Sequence, residues 1–98
     1  MPKAYWVICH RSTRSAEKFA AFTKLAYPAI HAAGGRFLVR TSQVAKTCEA
    51  GLNERTVLIE FDDLAAALRA YGTPAYKEAL RALGDGAERD VRVVEGVS

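Results

Sequence analysis

The sequence lacks a long apolar run, since its longest apolar stretch is residues 4–9. A helix that crosses a bilayer needs about 20 consecutive apolar residues, so we expect no membrane-spanning segment. The N-terminus leads directly into a strand-like stretch, without the apolar segment and cleavage site of a secretory signal. These absences predict a cytoplasmic protein that has no membrane partner.

Cysteine is also scarce, because the 98 residues include only Cys9 and Cys48. Two thiols are too few for a disulfide framework, and their spacing does not fit a metal site. We expect two free thiols, with Cys9 a small buried side chain in a strand. The patterns GxGxxG, GxxxxGK[ST], HExxH and GxSxG are absent as well. The sequence therefore predicts neither a metal nor a cofactor.

No block of basic charge is present, although the net charge is +3. The fourteen lysines and arginines are scattered among eleven acidic residues, which is the pattern of a solvated surface. An RNA-binding domain with the strand order deduced below would need a basic and aromatic third strand. The corresponding segment, residues 56–61, is apolar and contains Glu60, so nucleic acid is not an expected partner.

What the sequence does contain is a succession of strand and helix patterns. Segments of strand length rich in β-branched or aromatic residues occur in four places, at residues 4–9, 36–41, 55–61 and 88–95. Apolar residues recur at spacings of three and four over residues 16–33, which predicts a helix. Gly34 and Gly35 follow it and are expected to supply a left-handed helix end.

A second helical pattern lies between the third and fourth strands and is interrupted in the middle. It begins at Leu64 after two aspartates that can cap it, and Gly72 breaks it. Thr73 and Pro74 are typical of a new helix start, and the second half extends to Leu83. The sequence therefore predicts a broken second helix and the order β-α-β-β-α-β.

This order predicts one domain, residues 1–98, of the α+β class with a ferredoxin-like βαββαβ fold. Two right-handed crossovers joined through a hairpin give a four-stranded antiparallel sheet with both helices on one face. The first strand is nevertheless apolar on both alternating sides, with Tyr5, Val7 and Cys9 against Trp6 and Ile8. Both sheet faces are then expected to be buried, and a second copy of the sheet is the natural cover. We therefore predict a homodimer.

Several segments also resemble a known family. They are Ala33-Gly34-Gly35-Arg36-Phe37-Leu38-Val39-Arg40, Tyr71-Gly72-Thr73-Pro74-Ala75-Tyr76, Pro28-Ala29-Ile30, Ile59-Glu60-Phe61 and Val94-Glu95-Gly96-Val97. Taken in their order along the chain, they resemble the domain of unknown function 1330 family over nearly the whole chain. The resemblance implies a dimeric α/β barrel, a superfamily that includes cofactor-independent monooxygenases, haem-degrading enzymes and muconolactone isomerase-like proteins. It implies no established activity.

The chain departs from that family at the start of the first helix. The family commonly has an Asp-Pro and a Tyr-x-x-Tyr pattern there, whereas this chain has Arg14-Ser15 and Phe19-x-x-Phe22. The resemblance therefore leaves the chemistry of a pocket beside this helix open.

Strict alternation along the second and third strands predicts one unusually charged face. It places Phe37, Val39, Val57, Ile59 and Phe61 on one side, and Arg36, Leu38, Arg40, Leu58 and Glu60 on the other. If the charged side meets the dimer partner, Arg40 and Glu60 form a buried pair, and Arg36 or Arg92 remains for an anionic ligand. The alternative is a structural ion pair at the barrel rim.

One histidine and four aromatic residues are further candidates for a site. His10 ends the first strand, on the side of Trp6, and is a candidate catalytic acid or base. Tyr5, Trp6, Tyr71 and Tyr76 are candidates to line a ligand pocket. Tyr71 and Tyr76 are preferred because they flank the helix break, and the alternative for all four is core packing.

The sequence leaves three functions open and does not decide whether the protein is an enzyme. The first is a homodimeric binder of a small apolar or aromatic molecule, with or without a negative charge. The second is a cofactor-independent monooxygenase-like or isomerase-like enzyme. The third is a structural interaction module without catalysis.

Overall fold

A four-stranded antiparallel sheet with helices packed on one face organises residues 2–98, the part of the chain that the computed structural model describes. The elements are β1 (Ala4–Thr13), α1 (Ala16–Ala32), β2 (Arg36–Thr41), β3 (Thr56–Phe61), α2 (Leu64–Tyr71), α3 (Pro74–Leu83) and β4 (Ala87–Glu95). The strand order is β2-β3-β1-β4. This arrangement confirms the predicted α+β, ferredoxin-like fold, and the second helix is divided into α2 and α3 as predicted.

Short polar side chains begin all three helices. Ser15 accepts a hydrogen bond from the backbone N–H of Lys18, and Asp63 accepts one from Ala66 at 2.8 Å. Thr73 caps α3, whose first residue is a proline. Such caps satisfy backbone donors that have no partner inside the first turn, which is why these helix starts are visible in the sequence.

The two glycines after α1 perform different tasks. Gly34 has a φ of 93°, a left-handed conformation that glycine adopts without steric cost. At Gly35, a Cβ atom would lie 2.6 Å from Cγ2 of Ile30 and 3.0 Å from Cγ2 of Ile59. The first glycine therefore turns the chain, and the second lets the end of α1 approach the sheet closely.

The second strand contains an extra residue that changes which side chains share a face. Phe37 pairs with Ile59, but the next pair is Val39 with Leu58, so that Leu38 has no partner of its own. This is a β-bulge, which reverses the alternation of the side chains that follow it. The predicted faces are therefore wrong for Val39 and for the residue after it.

The bulge places Arg40 on the helix side of the sheet. Arg40 pairs with Val57, which is buried beneath the helices. Val39, predicted on that side, instead pairs with Leu58 on the side without helices. The predicted charged face thus loses Arg40 and gains an apolar residue.

The sheet face without helices, called the open face below, combines apolar and charged side chains. Tyr5 and Val7 alternate with the buried residues of β1 and pair with Glu60 and Leu58 of β3. Cys9, predicted to be buried, is exposed on this face. Leu38 and Val94 are 52% and 41% exposed. A single chain therefore leaves an apolar surface on this side uncovered.

Among residues 2–98, no helix has both the length and the apolar character needed to cross a membrane.

Candidate functional site

A cleft opens between α1 and the helix side of the sheet. Its cavity measures about 30 Å³, and the empty space reaches about 390 Å³ when the open mouth is included. Its walls are mainly aliphatic and aromatic, with Ile8, Phe19, Phe22, Ala26, Tyr27 and Val57 among them. The small side chains of Thr23 and Ala26 lie on the α1 face that lines the cleft, so this part of the helix leaves space above the sheet.

His10 lies in this cleft at the end of the buried face of β1. It is 5% exposed, its Nε2 lies 2.7 Å from Oγ1 of Thr13, and its ring meets the ring of Phe19 edge-on. Burial lowers the pKa of His10 below its ordinary value of 6.5; Arg89 and Arg55 add to this effect and Glu54 opposes it. The imidazole is therefore neutral near pH 7, the form that can accept a proton.

Tyr76 contributes a phenol to the same cleft. The residue is 1% exposed, and within residues 2–98 no group forms a well-aligned hydrogen bond with its hydroxyl, although the Arg89 guanidinium lies near enough to affect it. Burial raises the pKa of the phenol, and the nearby Arg89 opposes that rise. An unpaired buried hydroxyl is costly, and a ligand atom in the cleft would supply the missing partner.

Arg89 and Arg55 bring two positive charges to this apolar space. Arg89 pairs with His10 across β1 and β4, and its guanidinium carbon lies 4.5 Å from the ring centre of Phe22. Arg55 precedes β3 and donates to the Tyr27 hydroxyl and, at 3.4 Å, to Ser42. Both arginines line the cleft.

Neither of these arginines was predicted as a site residue from the sequence, although a signal was present. Arg89 lies in phase with Val91 and Val93, and Arg55 lies in phase with Val57 and Ile59. In a strand, alternate residues face the same side. An arginine in phase with apolar residues therefore indicates a charge aimed at the covered side of the sheet.

The predicted pair of Arg40 and Glu60 does not form. The guanidinium carbon of Arg40 lies 4.6 Å and 4.8 Å from the ring centres of Tyr27 and Phe37, on the helix side. Glu60 lies on the open face, where its carboxylate accepts hydrogen bonds from Arg36 at 3.1 Å and from the Tyr5 hydroxyl at 3.5 Å. The prediction fails because the bulge in β2 moves Arg40 to the opposite face.

Trp6 and Tyr71 belong to a packed aromatic group and do not line the cleft. Trp6 is fully buried and donates to the backbone oxygen of Ala67 at 2.9 Å. The rings of Phe61, Tyr71 and Tyr76 surround it, with centres 5.1 to 5.6 Å away. Among the aromatic candidates, the cleft therefore receives only Tyr76, which bridges it and the core.

A second and larger groove, with a volume of about 310 Å³, adjoins the cleft beneath the loop of residues 42–54. His10 and Arg55 line both spaces, and the groove is also bordered by Cys9 and Cys48. Within the described residues, no group of three or more His, Cys, Asp or Glu side chains could hold a metal ion.

Comparisons with known proteins agree with this architecture. The profile of a family described as a domain of unknown function, DUF1330, matches residues 3–97. A search of the curated proteins finds no match.

Solved structures with the same fold have low sequence identity to this chain. A protein of unknown function from Rhodopseudomonas palustris has a TM-score of 0.74 at 14% identity, over 99% of this chain and 84% of that one. SnoaB, a cofactor-independent oxygenase from Streptomyces nogalater, has a TM-score of 0.60 at 17% identity, over 100% and 96%. An uncharacterized NIPSNAP-like domain protein from Burkholderia xenovorans has a TM-score of 0.58 at 17% identity, over 98% and 85%. At these identities the likeness establishes the fold alone.

Proposed function

The chain belongs to the DUF1330 family, and we propose that it is a homodimer that binds a small apolar or aromatic molecule in the cleft between α1 and the sheet. The observation that carries this proposal is the lining of the cleft. Apolar walls with a few convergent polar groups are typical of small-molecule sites. Here His10, Tyr76 and two arginines converge on walls made of aliphatic and aromatic side chains.

The binding proposal can be tested by filling the cleft. Thr23 lines the cleft from α1, whereas the adjacent Lys24 is exposed and does not line it. Thr23→Phe should therefore occupy the ligand space, and Lys24→Phe is the matched control on the same helix. Ligand-observed NMR with phenylacetamide and phenylacetate, benzamide and benzoate would detect even weak binding.

We expect Thr23→Phe to remove the binding seen with the native protein, and Lys24→Phe to retain it. Melting curves establish that both variants are folded. If none of the four compounds binds the native protein, or if both variants bind equally well, the cleft is not the binding site. The absence of all binding would favour the structural interaction module.

The homodimer is supported by the open face. Its apolar side chains are uncovered in one chain, and its charged residues form pairs within that chain, with Arg36 on Glu60 and Arg92 on Asp90. Because these charges are already neutralised in pairs, a second copy can cover the face without burying unpaired charges. The cleft lies on the other side of the sheet, so dimerisation and ligand binding can occur together.

A second candidate function is cofactor-independent enzymatic turnover in the same cleft. The observation that favours it is the buried, neutral imidazole of His10 beside an apolar ligand space. Such a base can remove a proton from a carbon or hydroxyl of the ligand and return it elsewhere, as in an isomerisation. The similarity in fold to a cofactor-independent oxygenase adds reaction with O₂ to the activities to be tested.

His10→Gln separates this candidate from simple binding. If the protein is an enzyme, O₂ uptake or isomerisation of a hydroxylated aromatic substrate should disappear in the variant while binding persists. If the native protein binds such compounds and leaves them unchanged, it is a binder and His10 has no catalytic role.

A further inference from the structure

We propose that the cleft selects an aromatic or apolar carboxylate, whose anionic group is held by the guanidinium groups of Arg55 and Arg89 and by the hydroxyl of Tyr76. This inference rests on the proposed binding function and names the class of ligand. Nothing in the family description or in the structural likenesses assigns these residues a role.

The ion pairs of this protein are unevenly distributed among its arginines. The chain has nine arginines, and five of them lie within 4 Å of a carboxylate: Arg11, Arg14, Arg36, Arg81 and Arg92. Arg55 and Arg89 have no carboxylate partner within residues 2–98, although both are half-buried. The two arginines that line the cleft therefore lack a carboxylate partner, whereas most of the other arginines have one.

The surroundings of these two charges also favour a planar anion. The Arg89 guanidinium stands over the Phe22 ring, and the Arg55 guanidinium is oriented by the Tyr27 hydroxyl. Stacking on an aromatic face leaves the N–H groups at the edge of a guanidinium available for a planar acceptor. A carboxylate matches that geometry and can accept two parallel hydrogen bonds from one guanidinium.

The buried hydroxyl of Tyr76 can take part in binding the same anion. Tyr76 lines the same cleft, and its hydroxyl forms no well-aligned hydrogen bond within the described chain, with the Arg89 guanidinium nearby. The protonated phenol is a donor as well as an acceptor, and the guanidinium of Arg89 near it is a donor only. All these groups are satisfied together by a ligand atom that accepts several hydrogen bonds, which a carboxylate oxygen does and an amine does not.

The apolar walls of the cleft indicate what the rest of the ligand is. The walls next to the arginines are formed by Phe19, Phe22 and Ile8, and Ala26 leaves the space between them. The cavity itself measures about 30 Å³, and the empty space reaches about 390 Å³ only with the open mouth included, so the apolar part of a ligand would lie largely in the mouth. The ligand expected from these features is a compact aromatic or branched apolar monocarboxylate.

The test compares each acid with its neutral amide. Benzoate and phenylacetate, with benzamide and phenylacetamide, are titrated into the native dimer and into Arg55→Gln and Arg89→Gln. Arg81→Gln is the matched control, because Arg81 lies on α3 and pairs with Glu78 away from the cleft. Arg89→Lys retains the charge without the planar fork, and melting curves establish that each variant is folded.

We expect the native protein to bind each acid more tightly than its amide. Arg55→Gln and Arg89→Gln should each weaken acid binding by about tenfold or more, as expected for a lost hydrogen bond to a charged group. Binding of the amides should remain within about twofold, because neutral ligands do not depend on the charge. Arg89→Lys should lie between the native protein and Arg89→Gln, and Arg81→Gln should match the native protein.

Two other outcomes overturn the inference in distinguishable ways. If acids and amides bind equally well and the arginine variants change neither, the arginines are structural and only the choice of ligand class is wrong. If neither acids nor amides bind, the proposed binding function fails together with the inference.

Discussion

The Nε atom of Arg36 lies 3.1 Å from a carboxylate oxygen of Glu60, across the ladder between β2 and β3. The two residues are direct partners in the strand register, so their side chains emerge on the same face. Arg40, which strict alternation would place beside Arg36, stands over Tyr27 on the opposite face. One extra residue in β2 therefore decides which arginine neutralises Glu60 and which one lies near the cleft.

This relationship predicts that Arg40 and Glu60 contribute independently to stability. Arg40→Leu should cost about 0.5 to 1 kcal/mol, the range for a cation over aromatic rings at an exposed site. The double variant with Glu60→Leu should be additive within about 0.5 kcal/mol, because the two side chains share no partner. Denaturant unfolding of the single and double variants measures this. If the double variant instead recovers stability that the single variants lose, Arg40 and Glu60 interact directly, which contradicts the structure.

Trp6 is expected to matter for stability and not for ligand binding. Trp6→Phe removes the hydrogen bond to Ala67 and some of the contact with Phe61, Tyr71 and Tyr76. We expect a loss of about 2 kcal/mol from the missing hydrogen bond and the space left behind. Chemical unfolding gives this value, and titration with phenylacetate should give an unchanged affinity. A weakened affinity in a folded variant would place Trp6 in the binding site.

His10 should make the protein less stable as the pH falls below about 6.5. Burial and the charges of Arg89 and Arg55 lower the pKa of His10 in the folded chain, against the opposing effect of Glu54. The unfolded chain then takes up a proton at a pH where the folded chain does not. Stability is therefore complete above the unfolded value of 6.5 and declines as the pH drops towards the lower folded pKa.

Urea unfolding between pH 7.5 and pH 5.5 tests this dependence. His10→Gln should flatten it, whereas His31→Gln, at an exposed position of α1, should retain the native slope. Asp85 and Asp90 have pKa values that are lowered from 3.8. Their effect on stability therefore falls below the pH range of this experiment. An equal slope in the native protein and in His10→Gln would mean that His10 titrates alike in the folded and unfolded chains.

The open face should be the surface that joins two copies. Sedimentation should show a stable dimer at micromolar concentration, and Leu58→Glu should produce a folded monomer by placing a charge in the apolar interface. Leu68→Glu is the control, because Leu68 is 56% exposed on α2, away from this face. A native protein that remains monomeric at that concentration and melts cooperatively would contradict the dimeric barrel.

Local patterns in the sequence were sufficient for the order of the elements and for most of their ends. The Thr73 cap, Pro74 and the Gly34 turn act within a few residues of their own position, so a short window contains their cause. The first strand is longer than predicted because Ser12 and Thr13 pair with β4 beyond a register shift that follows His10. That extension depends on a strand far away in the sequence.

The candidate site was predicted only in part, because its members come from separate elements. His10 and Tyr76 were identified from their chemistry and their positions at element ends, and both line the cleft. Arg55 and Arg89 meet them only after β3 and β4 are placed on either side of β1. Alternation along each strand indicates which side of the sheet each arginine faces. It does not indicate that the two arginines line the same cleft.

The amino-acid sequence by itself determined the βαββαβ order, the broken second helix and the absence of recognisable metal and nucleotide motifs. Only the tertiary structure decided which side of the sheet Arg40 occupies and which charges remain unpaired. The physical reason is that alternation along a strand is a local property, whereas a bulge such as the one at Leu38 is defined by the pairing of two strands. One unpaired residue there moves Arg40 from the side of Glu60 to the rings of Tyr27 and Phe37 on the helix side.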